Sequence, residues 1–209
     1  MHQAQIVCFA GFLTWMSLAS CSRPQEPLAP VPFTDSFERG ELGPNWVGDA
    51  AWRIQDGGVF SAGTQNRPLW LKARLPDDAV IELEVKSDSP AGDIKFEIYG
   101  DGVNHASGYI LIFGGWNNTI SCIARLDEHG ADRQELAQPG LVKLGQTFRM
   151  KVVRQDKVLK WYLDGKLFMD YYDSDPLRGP GHDRLAFNSW ASKLSFDNLS
   201  IRAATAADQ

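Results

Sequence analysis

Three glutamates, Glu82, Glu84 and Glu97, stand in two short runs where charged and apolar residues alternate, AVIELEVKS and DIKFEIYG. Two carboxylates held on one face can divide the work of glycosidic cleavage, because their repulsion raises one pKa and leaves an acid beside a base. The alternation supplies such a face. Ile81, Leu83 and Val85 interleave with Glu82, Glu84 and Lys86, and Ile94, Phe96 and Ile98 interleave with Asp93, Lys95, Glu97 and Tyr99. This is the period-two signature of strands buried on one side. The intervening DSPAG reads as a turn. The two strands are therefore expected to face each other, with the three glutamates gathered on the wet side and Lys86 and Lys95 as counter-charges. The same residues also fit a solvated sheet face of Glu and Lys ladders, and two lysines among three glutamates favour that reading.

A second constellation suits sugar binding without cleavage. Trp116 sits in GGWNN beside Asn117 and Asn118, outside any alternating pattern. An indole offers a flat face to a sugar ring, and amides offer donors and acceptors to its hydroxyls. Tyr99, Tyr109 and Trp190 are further candidates for the platform, whereas Trp52, Trp70 and Trp161 fall on apolar phase and are expected in the core. His105, His129 and His182 have no Cys or His at metal-ligand spacing, and no Gly-x-Ser-x-Gly accompanies them. Zinc and a serine triad are both disfavoured.

The elements that must carry these residues are strands throughout. Short alternating segments separated by turn residues run from Phe33 to Ile201, and no long window repeats apolar positions at helical spacing. YILIF at 109–113 is apolar at every position, as expected of a strand covered on both faces or facing an apolar groove. Asp56-Gly57-Gly58 and Asp164-Gly165 are hairpin signals, the second the stronger, with both central residues expected at positive φ. So many strands exceed one open sheet, and two stacked antiparallel sheets are expected.

The chain has 209 residues and a net charge of −5, with no Lys/Arg cluster, which argues against a nucleic-acid partner. Ile6 to Ala19 is an apolar run too short for a comfortable span, and it is followed by small residues, the pattern of a secretory signal. Its end, Leu18-Ala19-Ser20-Cys21, resembles the bacterial lipobox. That resemblance implies cleavage after residue 20, acylation of Cys21 and a membrane partner through the lipid. Ser22 after the cysteine resembles the outer-membrane sorting pattern. Residues 22–32, with four prolines in SRPQEPLAPVP, are expected to be a tether. The domain is expected over 33–202, with 203–209 a frayed tail. Of Cys8, Cys21 and Cys122 only the last would remain as a free thiol, and it falls on an apolar position expected to be buried.

DSFERGELGPNW, the W-x-I-x-D-G-G-V-F hairpin, the W-Y-L-D-G-K hairpin and the closing LSFDNLSI resemble the concanavalin A-like lectin/glucanase jelly roll, near the 3-keto-disaccharide hydrolase domain and bacterial lipoprotein relatives. The resemblance implies a curved sheet whose concave face takes a glycan. It also implies a structural calcium near the first and last strands, with Asp197 as ligand and Asp35 or Glu38 as assisting oxygen donors. Family 16 glucanases of this fold carry Glu-x-Asp-x-x-Glu on one strand. The nearest match here, Glu82-Leu83-Glu84-Val85-Lys86-Ser87, lacks the last acid unless Glu97 supplies it. The expected function is thus a lipid-anchored, non-catalytic glycan-binding or envelope-structural β-sandwich. The alternative is a glycoside hydrolase or lyase using Glu82, Glu84 or Glu97. The oligomeric state stays open.

Overall fold

A computed structural model describes residues 27–138 and 140–208. The stretch expected to be a secretory signal, Cys21 and residues 22–26 lie outside them. The strands are β1 (Phe33–Asp35), β2 (Trp46–Val47), β3 (Trp52–Gln55), β4 (Gly58–Ser61), β5 (Leu69–Leu71), β6 (Ala79–Ser87) and β7 (Ile94–Gly100). They continue as β8 (Tyr109–Gly114), β9 (Ile120–Arg125), β10 (Gln134–Glu135), β11 (Thr147–Gln155), β12 (Val158–Leu163), β13 (Lys166–Tyr172), β14 (Arg184–Asn188) and β15 (Leu194–Ala203). One antiparallel sheet has the order β13-β12-β11-β6-β15-β4-β3, with β1 beside β15, and the other has the order β10-β9-β8-β7-β14-β5-β2. The expected two-sheet jelly-roll sandwich is therefore present. Among the described residues no helix is long and apolar enough to cross a membrane.

The inner faces interlock through large side chains. Phe187 of β14 stacks on Phe196 of β15 at 4.3 Å, and Phe96 of β7 meets Trp161 of β12 edge-on at 5.8 Å. Both contacts join opposite sheets. Each such side chain contributes about 1.5–3 kcal/mol by leaving water, so the period-two pattern is the main device that holds the layers together. YILIF is β8 and is buried on both sides. Tyr109, Leu111 and Phe113 enter the main core, while Ile110 and Ile112 join Cys122 and Ala124 in a smaller cluster on the other face. Burial pushes the Cys122 thiol up to about 12, so it behaves as a small apolar group. At the Asp164-Gly165 turn φ is 49° and 78°, as expected of a two-residue hairpin between β12 and β13.

The expected β6–β7 hairpin is not formed. β6 lies between β11 and β15, whereas β7 lies between β8 and β14 in the other sheet. DSPAG therefore carries the chain from one layer to the other. Two strands with one oily face each can share a sheet or oppose each other across a core, and the period-two pattern is satisfied by both. As a result Glu82 and Glu84 lie on the outside of one sheet and Glu97 on the outside of the other, with the whole core between them.

Both ends of the domain are more ordered than their composition suggests. Ala29 donates its N–H to Lys72 O at 2.8 Å, and Ala29 and Val31 pack on the core, so this part of the expected tether rests against the domain. At the other end, Asp208 accepts from both terminal guanidinium nitrogens of Arg202 and from the backbone N–H of Thr205. Gln155 donates to Thr205 O at 2.9 Å. Within the stretch expected to fray, Thr205 and Asp208 are pinned on β11 and β15, because one acidic side chain closes a 3₁₀ turn.

Candidate functional site

The outer face of the eight-stranded sheet is a charge ladder. Glu82 stands opposite Lys151, and Glu84 opposite Arg149. Arg149 Nε donates to Glu84 Oε1 at 3.0 Å, and Asn198 Nδ2 to Oε2 at 3.2 Å. Exposed pairs of this kind contribute about 0–1 kcal/mol. This is the solvated-face reading of the two glutamates.

Glu97 is fully buried on the outer face of the other sheet. Its Oε1 accepts from Asn188 Nδ2 at 2.6 Å and lies 2.7 Å from His105 Nδ1, while Oε2 accepts from Ala106 N at 2.9 Å. With both oxygens occupied and no exposure, it cannot reach a glycosidic oxygen. A retaining hydrolase requires two carboxyl groups about 5 Å apart facing one bond. The catalytic grouping of Glu82, Glu84 and Glu97 is not assembled.

Beside Glu97 on the same face lies a groove of about 570 Å³. Its lips are tryptophans from different loops. Trp116 belongs to the turn between β8 and β9, where Trp116, Asn117 and Asn118 have φ of 48°, 60° and 64°. Three successive left-handed residues cost about 1–2 kcal/mol each, less for asparagine. Asn118 fixes the turn by donating Nδ2 to Val142 O and accepting from Val142 N, both at 2.8 Å. The indole packs on the small outer cluster, with Arg133 4.9 Å from its ring and His129 edge-on. Trp190, in the loop between β14 and β15, is 53% exposed and lines the same groove with Asn117, Ala191 and Ser192.

The floor is polar and largely self-satisfied. Lys95 Nζ, buried on β7, donates to Asn66 Oδ1 at 3.0 Å and to Glu128 Oε2 at 2.6 Å. Asn66 Nδ2 completes the triangle on Glu128 Oε1 at 3.1 Å. Burial would raise the Glu128 pKa, but the charge and hydrogen bond of Lys95 outweigh it and hold the carboxyl below its usual range. Asp93, next to Lys95 on the floor, shifts the other way, and burial is the largest cause.

The remaining expected residues divide between core and scaffold. Tyr99 and Tyr109 are buried between the sheets and form no platform. A register irregularity opposite Arg184/Leu185, with Tyr99 at φ 56°, turns Tyr99 off the outer face of Lys95 and Glu97 and into the core. Tyr109 lies on the inner phase of β8. Asn118 holds the turn and does not line the groove. Asp35 and Asp197, expected as oxygen donors to a calcium ion, do not line the groove. Asp35 spends its oxygens on Arg39, Trp46 Nε1 and Phe37 N, and among the described residues no group of three or more His, Cys, Asp or Glu side chains could hold a metal ion.

Sequence reasoning missed Asn66, Asp93, Lys95, Glu128 and His129 as one floor. Lys95 could be found by its outward phase on β7, but the loops that bring Asn66 and Glu128 to it carry no local signal.

No protein-family model matches the chain. Its sequence is 24% identical over 130 residues to an extracellular exo-α-L-arabinofuranosidase of Streptomyces chartreusis, a match covering 62% of this chain and 16% of that protein. The chain thus corresponds to about a sixth of that relative. Among solved structures, the carbohydrate-binding module CBM66 of Bacillus subtilis superposes with a TM-score of 0.62 at 15% identity, over 78% of this chain and 98% of that one. SCLam, a non-specific endo-β-1,3(4)-glucanase of family GH16, superposes with a TM-score of 0.57 at 13% identity, over 84% and 93%. The chain shares with both the antiparallel jelly-roll sandwich of carbohydrate-binding and glycoside-hydrolase domains.

Proposed function

We propose that this chain is a non-catalytic glycan-binding domain, held at the bacterial cell envelope by a lipid on Cys21, and that it takes a saccharide in the groove between Trp116 and Trp190. The observation that carries the reading is a pair of tryptophans lining one groove together with amide, ammonium and carboxylate groups. Such a mixture suits a ligand with apolar ring faces and hydroxyl edges. Binding is favoured over cleavage because Glu97 is sealed and Glu82 and Glu84 lie on the far side of the sandwich. The similarity to a carbohydrate-binding module and to part of an arabinofuranosidase supports a saccharide ligand, although the fold alone does not choose among activities.

The test is a glycan array with a parallel sugar-release assay on the soluble domain. Binding that is lost in Trp116→Ala and Trp190→Ala, without release of product, supports the reading; release of product overturns it. Anchoring rests on the LASC sequence and is tested separately. Mass spectrometry of the mature protein should find acyl chains on Cys21, and Cys21→Ser should leave an unprocessed precursor. A mature protein free of lipid would remove the membrane from the proposal.

A further inference from the structure

Asp93 differs from every other charged group on the groove floor. Lys95, Asn66 and Glu128 satisfy one another in a closed triangle. Asp93 takes a single long hydrogen bond, from Trp190 N to Oδ2 at 3.4 Å. Its other oxygen, Oδ1, has no hydrogen-bond partner among the described residues, while its backbone N–H is fixed on Gly114 O at 2.8 Å. The residue is held at φ 58°, where aspartate and asparagine are tolerated. It lines the same groove as the two tryptophans. A half-buried carboxylate with spare acceptor capacity is satisfied best by O–H or N–H donors arriving with a ligand.

The charge count points the same way. Lys95 makes its short ion pair with Glu128 and acts on Asp93 only through space, so Asp93 is the carboxylate of the floor without an ion-pair partner among the described residues.

We propose that Asp93 is the specificity residue of this groove, accepting hydroxyl hydrogens from an uncharged sugar ring and rejecting sugars that carry carboxylate or sulfate at that position. The inference rests on the glycan-binding reading of the groove and adds the charge class of the ligand. A second anion beside Asp93 would stand in a partly desolvated site, where like-charge juxtaposition is expected to weaken binding about a hundredfold or more.

The experiment uses a panel of neutral hexose and pentose oligosaccharides. Each hexose oligosaccharide is paired with its counterpart oxidised to the uronic acid at C6, and both are measured on the wild-type domain, Asp93→Asn, Trp116→Ala and Trp190→Ala. Asparagine keeps the shape and the left-handed backbone, so Asp93→Asn is expected to fold. The expected result is wild-type preference for the neutral member of a pair. In Asp93→Asn, affinity for the neutral sugar should fall about tenfold, as befits loss of a charge-assisted hydrogen bond, and the preference over the acid should shrink. If tryptophan variants lose binding but Asp93→Asn keeps both affinity and preference, the groove reading stands and this inference fails. If no saccharide binds, or binding survives both tryptophan variants, both fail.

Discussion

The hydroxyl of Tyr109 donates to Asp173 Oδ2 across 2.7 Å, tying β8 of the seven-stranded sheet to the residue that follows β13 of the other. Arg125 Nε and the N–H of Asp175 add bonds of 2.9 Å to the same carboxylate. Burial alone would raise the Asp173 pKa, but these donors outweigh it and lower it. A carboxylate depressed in the folded state contributes stability that is present above its unfolded value of about 3.9 and is lost as pH falls through the folded value. Asp173→Asn should therefore cost about 1–3 kcal/mol at neutral pH. Urea melts from neutral pH downward should show the gap between wild type and variant closing in strong acid, and a gap that stays constant would count against the charged pairing.

At the groove lip, side-chain and backbone effects can be separated. Trp161 is fully buried, and Trp161→Ala should cost about 3–5 kcal/mol. Trp116 is only partly covered, and its alanine variant should lose less, about 1–2 kcal/mol. Because Trp116 has φ 48°, glycine there is relieved of about 1 kcal/mol of left-handed strain. Trp116→Gly should then be more stable than Trp116→Ala, the reverse of the usual order in a strand. Denaturant melts of the pair decide it, and a more stable alanine variant would refute the strained turn.

Gly165 has φ 78°, and a side chain added there would point into open space. Gly165→Val should lose about 1 kcal/mol or more from backbone conformation alone, whereas Gly165→Asn, which tolerates the left-handed region, should lose much less. Equal melting temperatures for the two variants would contradict the turn.

Arg154 is 1% exposed, and its three guanidinium nitrogens have no hydrogen-bond acceptor among the described residues. It lies 4.1 Å from the centre of the Tyr99 ring. That contact offsets about 0.5–2 kcal/mol, while an unsatisfied buried polar group costs about 1–3 and a charged one more. Arg154→Met, similar in reach and apolar, should raise the melting temperature. A lower one would mean that the guanidinium has a partner in solution.

The layered β-architecture was legible because burial imposes a period of two on every strand, and both Asp-Gly turns announce themselves by their need for positive φ. The partners across the core were not legible, since Ile81, Leu83 and Val85 can satisfy their faces in either sheet. The groove was half visible. Trp116 stands out by escaping the alternation, but Tyr99 was misplaced by a one-residue irregularity that reverses its side. Glu128 and Asn66 reach Lys95 only through the fold, a relation no local pattern encodes.

The groove is assembled from five separate stretches, carrying Asn66, Asp93, Trp116, Glu128 and Trp190. None of them is near another in an unfolded chain, so an occupant meets its site only in the native state and acts as a removable clasp on the fold. Ligand at about a hundred times its dissociation constant should add about 2.7 kcal/mol to stability, or roughly 5–10 °C in melting temperature for a domain of this size. The heat resistance of the protein is thus itself a detector, able to pick a ligand from a mixed library before any of the library's members has been suspected.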